Sequence, residues 1–378
     1  MSESRKLTRR QVLQGTAAAG ALGMLGSVEW IGHAWGASDK VKMGFIFVGP
    51  RDDYGYNQAH FEGKAAVAKL DWVKAFDEEK VPETIEVQKT MESMVKLDGA
   101  QVLFPTSFGY FDPHIIKVAP QFPNIQFLHC GGLYQEGKHP KNVGSYFGFI
   151  DESQYIAGIV AGGMSKSGKL GFVAAKPIPQ VLRNINNYTL GARSIRPNCT
   201  TNVIFTGDWS LPVREAEATN SLVDQGIDVI TCHVDSPKVV ITTAEKRGVY
   251  CTGYHCNQSK LAPKGYLTGA EWNWAKVYME YAEMIRKGQT VPHLVRGGLK
   301  EGIVKVSEYH QVVTETVRKQ ADAAKDKFMG GGMVVYKGPI KDNTGRVVIA
   351  GGKEHVQTDI WLESMDWLVE GVIGSTKS

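Results

Sequence analysis

Aromatic and small polar residues follow most of the short apolar runs in this sequence. Such runs, of which residues 41–48 and 101–104 are examples, have the length and composition of buried β-strands. Because open parallel sheets bind their ligands at the carboxyl ends of the strands, the residues just after each run are candidates for binding. The candidates are Tyr56, Asn57, Ser107, Phe108, Lys176, Trp209, Asp235 and Asn257.

An aromatic face with a few hydrogen-bonding groups suits a flat ligand with polar edges, such as a heterocyclic base. For any one ring, a place at the rim of the core is an equally good interpretation, since Tyr and Trp are common near protein surfaces. The recurrence of rings and polar groups at several strand ends favours a binding site.

Signatures of catalysis are missing from the sequence. It contains no G-x-S-x-G nucleophile elbow, no G-x-x-x-x-G-K-[ST] phosphate loop and no H-E-x-x-H zinc helix. The pairs Cys232-His233 and His255-Cys256 follow successive strands, but their spacing matches no standard zinc pattern. We therefore expect a protein that is not an enzyme and that holds no metal or cofactor.

Apolar runs alternate with helical stretches in two successive sets, at residues 41–149 and 150–266. A run at residues 84–87 is among the expected strands of the first set. Near-continuous apolar strands between helices are typical of parallel sheets covered on both faces. The pattern predicts an α/β protein with two doubly wound parallel-sheet lobes.

The chain is less regular after about residue 267. Part of this region is expected to return to the first lobe, and part of the region after about 290 to the second, which makes a hinge of several strands. Residues 330–378 are expected to form a hairpin and a helix, with residues 333–336 pairing with 346–349. The sequence does not assign this C-terminal part to either lobe.

Residues 1–37 have the pattern of an export signal. Arg9 and Arg10 precede a small, weakly apolar run, and residues 34–37 offer a site for signal peptidase. Thr8-Arg9-Arg10-x-x-Leu13 resembles a twin-arginine signal, which carries folded cargo. We expect a periplasmic protein that does not insert into the membrane once the signal is removed.

Charge and cysteine content set two further bounds. The formal net charge of +4 is partly carried by the first ten residues, and the remainder is too weak and dispersed to favour nucleic acid as a partner. The five cysteines are an odd number, so at least one thiol is unpaired within the chain.

Several segments resemble one known family. These segments include Asp53-Tyr54-Gly55-Tyr56-Asn57-Gln58, Thr206-Gly207-Asp208-Trp209, residues 338–345 and residues 365–372. In order and spacing they are similar to the basic membrane lipoprotein (BMP) family of ABC-transporter solute-binding proteins, which includes the purine nucleoside receptors. The resemblance covers nearly everything after residue 40.

This resemblance implies a type I periplasmic-binding-protein fold that closes on its ligand and delivers it to the membrane permease of an ABC transporter. In the nucleoside-binding relatives, two rings, one from each lobe, sandwich the purine. Their positions match Tyr56 and Trp209, and a polar contact beside the first ring matches Asn57.

Two departures from the family pattern concern the sugar. The acid that holds the ribose hydroxyls in nucleoside binders falls here at His255 or Asn257, and a lysine of the following helix falls at Trp272. Both charged partners of a sugar are lost, and Trp272 supplies another ring as a further candidate for binding. The hypothesis that follows is a receptor for a purine nucleobase, adenine or guanine. A nucleoside or another small polar solute, a ligand sensor for a membrane receptor and, less favoured, an exported enzyme remain the alternatives.

Overall fold

The computed structural model describes residues 40–377 of the 378-residue chain. The export signal predicted for residues 1–37 lies outside the described residues. The strands, in chain order, are β1 Val41–Ile46, β2 Val73–Glu78, β3 Val102–Pro105, β4 Gln126–Cys130, β5 Val143–Gly148, β6 Lys169–Ala174, β7 Thr200–Phe205, β8 Val229–His233, β9 Tyr250–His255, β10 Tyr266–Trp272, β11 Leu294–Gly297, β12 Val304–Val306, β13 Tyr336–Lys337, β14 Ile340–Lys341, β15 Val347–Ile349, β16 Glu354–His355 and β17 Val372–Ile373.

Helices connect most of these strands and cover the sheets. They are α1 Tyr56–Val67, α2 Ile85–Lys96, α3 Ile116–Val118, α4 Ile150–Met164, α5 Pro179–Ile195, α6 Pro212–Asp224, α7 Lys238–Lys246, α8 Trp274–Arg286 and α9 Glu315–Met329.

Two sheets form the cores of two lobes. The first is a six-stranded parallel sheet in the order β11-β5-β4-β3-β1-β2, in which Met43 lies beside Ala75 of β2 and Val102 of β3. The second has seven strands in the order β12-β10-β9-β8-β6-β7-β17, and β12 runs antiparallel to β10. The strand order reverses at β1 in the first sheet and at β6 in the second. At these points the carboxyl ends of the strands flank a crevice.

The chain passes between the lobes three times. The first passage lies between β5, which ends at Gly148, and α4, which packs on the second lobe through α5 and β10. The second passage leads from β10 to α8, which returns to the first lobe and packs on α1. The third joins β11 of the first sheet to β12 of the second. The prediction of two doubly wound parallel-sheet lobes joined by a multi-strand hinge is confirmed.

One predicted strand is wrong. Residues 84–87 start helix α2, with the Thr84 hydroxyl accepting the backbone N–H of Glu86 as an N-cap. Val87, Met91 and Met94 are buried at helical spacing, so a run that looks β-like over four residues continues as an amphipathic helix. The second strand of the sheet is instead β2.

The C-terminal part differs in detail from the expectation. The hairpin pairs β14 with β15, so residues 340–341 rather than 333–336 form its first arm, while β13 pairs with β16. In place of the expected helix there is a short 3₁₀ turn, Ile360–Ser364. β17 then adds a parallel strand to the outer edge of the second sheet.

All five cysteines are free and buried, so no disulfide links the lobes. Within residues 40–377, no helix is both long and apolar enough to cross a membrane.

Candidate functional site

The two lobes touch directly where the carboxyl ends of their strands face each other. The backbone N–H of Tyr56 donates to the carbonyl oxygen of Asp235 at 2.9 Å. Nearby, Ser236 Oγ donates to the Asp53 carbonyl oxygen at 2.7 Å, and Gln258 Nε2 donates to the Tyr54 carbonyl oxygen at 2.8 Å. The loop before α1 is therefore bonded to the loops after β8 and β9, and the cleft is closed.

Asp53 positions Tyr56 at the first turn of α1. Its carboxylate accepts the backbone N–H groups of Gly55, Asn57 and Gln58 at 2.8, 3.0 and 2.9 Å, which satisfies donors that a helix start leaves free. Burial raises the pKa of Asp53, and these hydrogen bonds oppose the shift. The Tyr56 hydroxyl donates to the Thr106 carbonyl oxygen at 2.5 Å, so the ring is fixed from both ends.

Both polar groups of the Asn57 side chain form hydrogen bonds within the first lobe. Its Nδ2 donates to Asp53 Oδ2 at 2.8 Å and its Oδ1 accepts the backbone N–H of Gly49 at 3.1 Å. Ser107 likewise donates from Oγ to Glu83 Oε1 at 2.5 Å. Both side chains hold the strand-end loops of the first lobe in shape.

Trp209 is the aromatic residue after β7 and is partly buried. Its carbonyl oxygen accepts the backbone N–H of Asp235 at 2.8 Å, and its ring lies 6.1 Å from that of His233. Lys176 Nζ lies 5.6 Å from the centre of the Trp209 ring and 2.8 Å from Asp208 Oδ1. Three predicted residues, Lys176, Trp209 and Asp235, thus form one continuous wall.

The carboxyl group of Asp235 has no hydrogen-bond or ion-pair partner within residues 40–377. Burial raises its pKa to about 8, and the neighbouring carboxylates Asp53, Glu83, Asp208 and Glu215 act in the same direction. Asp235 is therefore a polar group of the closed cleft whose side chain the protein itself leaves unused.

His255, which ends β9, links the remaining rings. Its Nε2 donates to the Val234 carbonyl oxygen at 3.1 Å and its Nδ1 accepts the indole N–H of Trp272 at 2.9 Å. Burial lowers the pKa of His255 well below its ordinary value, so the ring is neutral and both nitrogens are used. Its ring lies 5.5 Å from Tyr56 and 6.0 Å from His233.

Phe108 and Asn257 lie outside this wall, and Trp272 joins it through its hydrogen bond to His255. Trp272 is buried and stacks on Trp274 with 4.7 Å between ring centres. The side chain of Phe108 is 69% exposed, and the exposed Asn257 accepts the backbone N–H of Ser259. The structure therefore does not bring Phe108 and Asn257 into the enclosed part of the cleft.

Asn184 of α5 is a polar residue that contacts His233, and the sequence interpretation did not select it. Its Nδ2 lies 2.8 Å from His233 Nδ1 and 2.9 Å from the Tyr254 hydroxyl, while its Oδ1 is buried without a partner in the described structure. Burial lowers the pKa of His233 to about 3, which keeps that ring neutral. Three asparagines within four residues of an otherwise helix-favouring segment, 184–187, were the available signal.

Within residues 40–377 no three His, Cys, Asp or Glu side chains are grouped to hold a metal ion. His233 and His255 are instead neutral members of the ring wall.

Two parallel-sheet lobes, three passages between them and a cleft lined by groups from both lobes define a solute-binding protein of the periplasmic-binding-protein fold. Among solved structures, the chain is similar to an ABC transporter solute-binding protein from Conexibacter woesei, with a TM-score of 0.66 and 21% identity over 78% of this chain and 97% of that one. It is also similar to a transcriptional activator of the comK gene from Bacillus halodurans, with a TM-score of 0.68 and 21% identity over 77% and 99% of the two chains.

The chain belongs to the Bmp family, whose model is described as ABC transporter substrate-binding protein PnrA-like and matches residues 40–337. It is 32% identical to a purine-binding protein of Brucella abortus over 344 residues, which are 90% of this chain and 95% of that one. It is 30% identical, over 90% of this chain and 82% of the other, to a Haloferax volcanii protein named provisionally as the ABC transporter glucose-binding protein TsgA13.

Proposed function

We propose that this protein is an exported receptor of an ABC-type importer and that it binds a purine base, adenine or guanine, between Tyr56 and Trp209. One observation carries the proposal. The backbone carbonyl oxygen of Asp235 accepts the N–H of Tyr56 and its backbone N–H donates to Trp209, so Asp235 links these two residues of different lobes. The purine-binding relative supports the same class of ligand.

A planar ligand between rings of different lobes couples binding to closure. Stacking on an aromatic ring contributes about 1–3 kcal/mol per base. When one ring comes from each lobe, both contributions are available only in the closed form, so the ligand shifts the population towards that form. A permease that recognises the closed form would then receive loaded receptors.

The polar groups around the cleft favour a base over a nucleoside. His255, at one position that corresponds to the ribose-binding acid of nucleoside receptors, is neutral and has both nitrogens engaged. Asn257, the other such position, is exposed. Trp272 replaces the corresponding lysine and donates its indole N–H to His255. These positions offer no charged partner for sugar hydroxyls.

The name of the Haloferax relative refers to glucose, so glucose is the competing ligand to test. Protein purified without refolding should release its ligand on denaturation, and mass spectrometry identifies the released molecule. Calorimetric titration of ligand-free protein with adenine, guanine, adenosine, guanosine and glucose then ranks the affinities. We expect a base to bind most tightly and to remain unchanged on long incubation. Tighter binding of a nucleoside or of glucose would contradict the proposal.

A further inference from the structure

The second lobe contains two unused polar groups near His233. Asp235 lies two residues after His233 in the chain, and no hydrogen bond contributes to the pKa of its carboxyl group within residues 40–377. Asn184 contacts the His233 ring, with Nδ2 at 2.8 Å from His233 Nδ1, and its Oδ1 has no partner in the described part of the chain. The ring of His233 lies 6.1 Å from Trp209, which connects both groups to the proposed stacking position.

Unused buried polar atoms are costly. An oxygen that leaves water without gaining a hydrogen bond costs about 1–3 kcal/mol. Asn184 is fully buried, so its Oδ1 would bear this cost unless a ligand supplies a donor. The Nδ2 group is shared between His233 and Tyr254. With the neutral His233 accepting at Nδ1, the oxygen of Asn184 is the free end of the amide.

The free groups have a definite chemical preference. The amide oxygen of Asn184 only accepts hydrogen bonds, and the carboxyl group of Asp235, which is protonated near neutral pH in the free protein, still has an accepting carbonyl oxygen. The His233 ring cannot donate to Asn184 or Asp235, because its Nε2 is directed towards the Tyr254 hydroxyl at 3.3 Å. The pair therefore matches a ligand edge that carries N–H groups.

We propose that Asn184 and Asp235 bind the N–H edge of the ligand and thereby make the site selective for an amino-substituted planar heterocycle. This inference rests on the proposed function, and it adds the two residues that distinguish one base from another. Stacking alone accepts any flat ring, whereas a site built to pair with N–H groups rejects an analogue that lacks them. Asp235 faces the cleft with Asp53 and Glu83 of the first lobe nearby. A ligand donor in that position would stabilise the ionised form of Asp235, which burial and these carboxylates disfavour.

The test compares adenine and guanine with unsubstituted purine, which keeps the ring system but lacks the exocyclic amine. Calorimetric titrations are made with the wild type, Asp235→Asn, Asn184→Ala and Asn187→Ala. Asn187 is the matched control, since it lies on the same helix but donates to Asp151, away from the ring wall. Thermal unfolding of each variant shows whether it is folded, and Asp235→Asn is the conservative change.

We expect the wild type to bind an aminopurine at least about tenfold more tightly than purine. Asn184→Ala should reduce that preference to near unity, and Asp235→Asn, which keeps one accepting oxygen, should reduce it by a smaller factor, while Asn187→Ala keeps it. If the wild type binds an aminopurine but the folded Asp235 and Asn184 variants retain its preference, the pairing is overturned and the proposed function stands. If the wild type binds none of adenine, guanine and unsubstituted purine, both the pairing and the proposed function are overturned.

Discussion

Gly55 of the first lobe lies so close to the carbonyl oxygen of Asp235 in the second that no side chain fits between them. A Cβ atom built at Gly55 would lie inside the van der Waals envelope of that oxygen and 2.7 Å from Pro237 Cδ. The absence of a side chain at this one position is therefore a condition for the lobes to meet.

Gly55→Ala should hold the cleft open without unfolding either lobe. We expect a larger radius of gyration in small-angle scattering and an affinity for the ligand reduced by about tenfold or more, because the closed form becomes less populated. Gly351→Ala is the control, since its nearest neighbour, Pro339 Cδ, lies 3.9 Å away. Equal scattering curves for Gly55→Ala and the wild type in the presence of ligand would contradict the closure argument.

Trp209→Ala should weaken binding of a purine base by roughly 5- to 150-fold, which corresponds to losing about 1–3 kcal/mol of stacking. The measurement is a calorimetric titration with adenine and guanine. Trp361→Ala provides a matched control, because Trp361 stacks on His355 near the C-terminus at 4.1 Å and does not contact the ring wall. Unchanged affinity in folded Trp209→Ala would remove that ring from the site.

Tyr56 should contribute through its ring and not through its hydroxyl. Tyr56→Phe keeps the ring and loses the bond to the Thr106 carbonyl oxygen and the contact with Cys130, so we expect nearly wild-type affinity and a stability loss of about 1 kcal/mol. Tyr56→Ala should lower affinity as strongly as Trp209→Ala. Titration and chemical denaturation of both Tyr56 variants check this, and comparable losses of affinity in the two would assign the binding role to the hydroxyl.

Asp235 should make the ligand-free protein less stable as the pH rises. Its pKa is about 8 in the folded protein and about 4 in an unfolded chain, so between these values the folded state holds a proton that the unfolded state has released. The free energy of unfolding therefore falls as the pH rises from about 4 to about 8, and this contribution is constant above that window.

Chemical denaturation at pH 5 and pH 8 measures the effect in the wild type and in Asp235→Asn. Burial also raises the pKa of Glu152 to about 8, so some of the slope persists in the variant. The quantity to compare is the free energy of unfolding of Asp235→Asn minus that of the wild type. This difference should be larger at pH 8 than at pH 5. An identical pH dependence for both would show that Asp235 is not protonated in this window.

The sequence was sufficient to predict the two lobes, because apolar runs of strand length alternate with helices throughout residues 41–266. It was not sufficient for short elements whose state depends on distant partners. Residues 84–87 contain β-branched side chains but are fixed as helix by the Thr84 cap and by burial of Met91 and Met94 further on. The two residues of β17 are a strand only because β7 has a free edge.

The sequence predicted the types of residue at the strand ends better than it predicted the directions of their side chains. The backbone at His255 has φ of +77°, a left-handed conformation that redirects the chain after β9 and is followed by an exposed Asn257. Asn57 and Ser107 are polar strand-end residues as expected, but their groups are used by Asp53 and Glu83. Asn184 lies on a helix, so a search of strand ends could not find it.

The stacked pair of Trp272 and Trp274 lies in the passage from β10 to α8, one ring at the end of the second lobe's sheet and the other at the start of a helix of the first. Trp274 stacks in turn on His60 of α1, with 5.1 Å between ring centres. We expect a change in the angle between the lobes to alter the stacking of these two indoles. Their fluorescence emission should therefore report that angle without an attached dye, in contrast to the emission of Trp209, which a stacked ligand would itself alter.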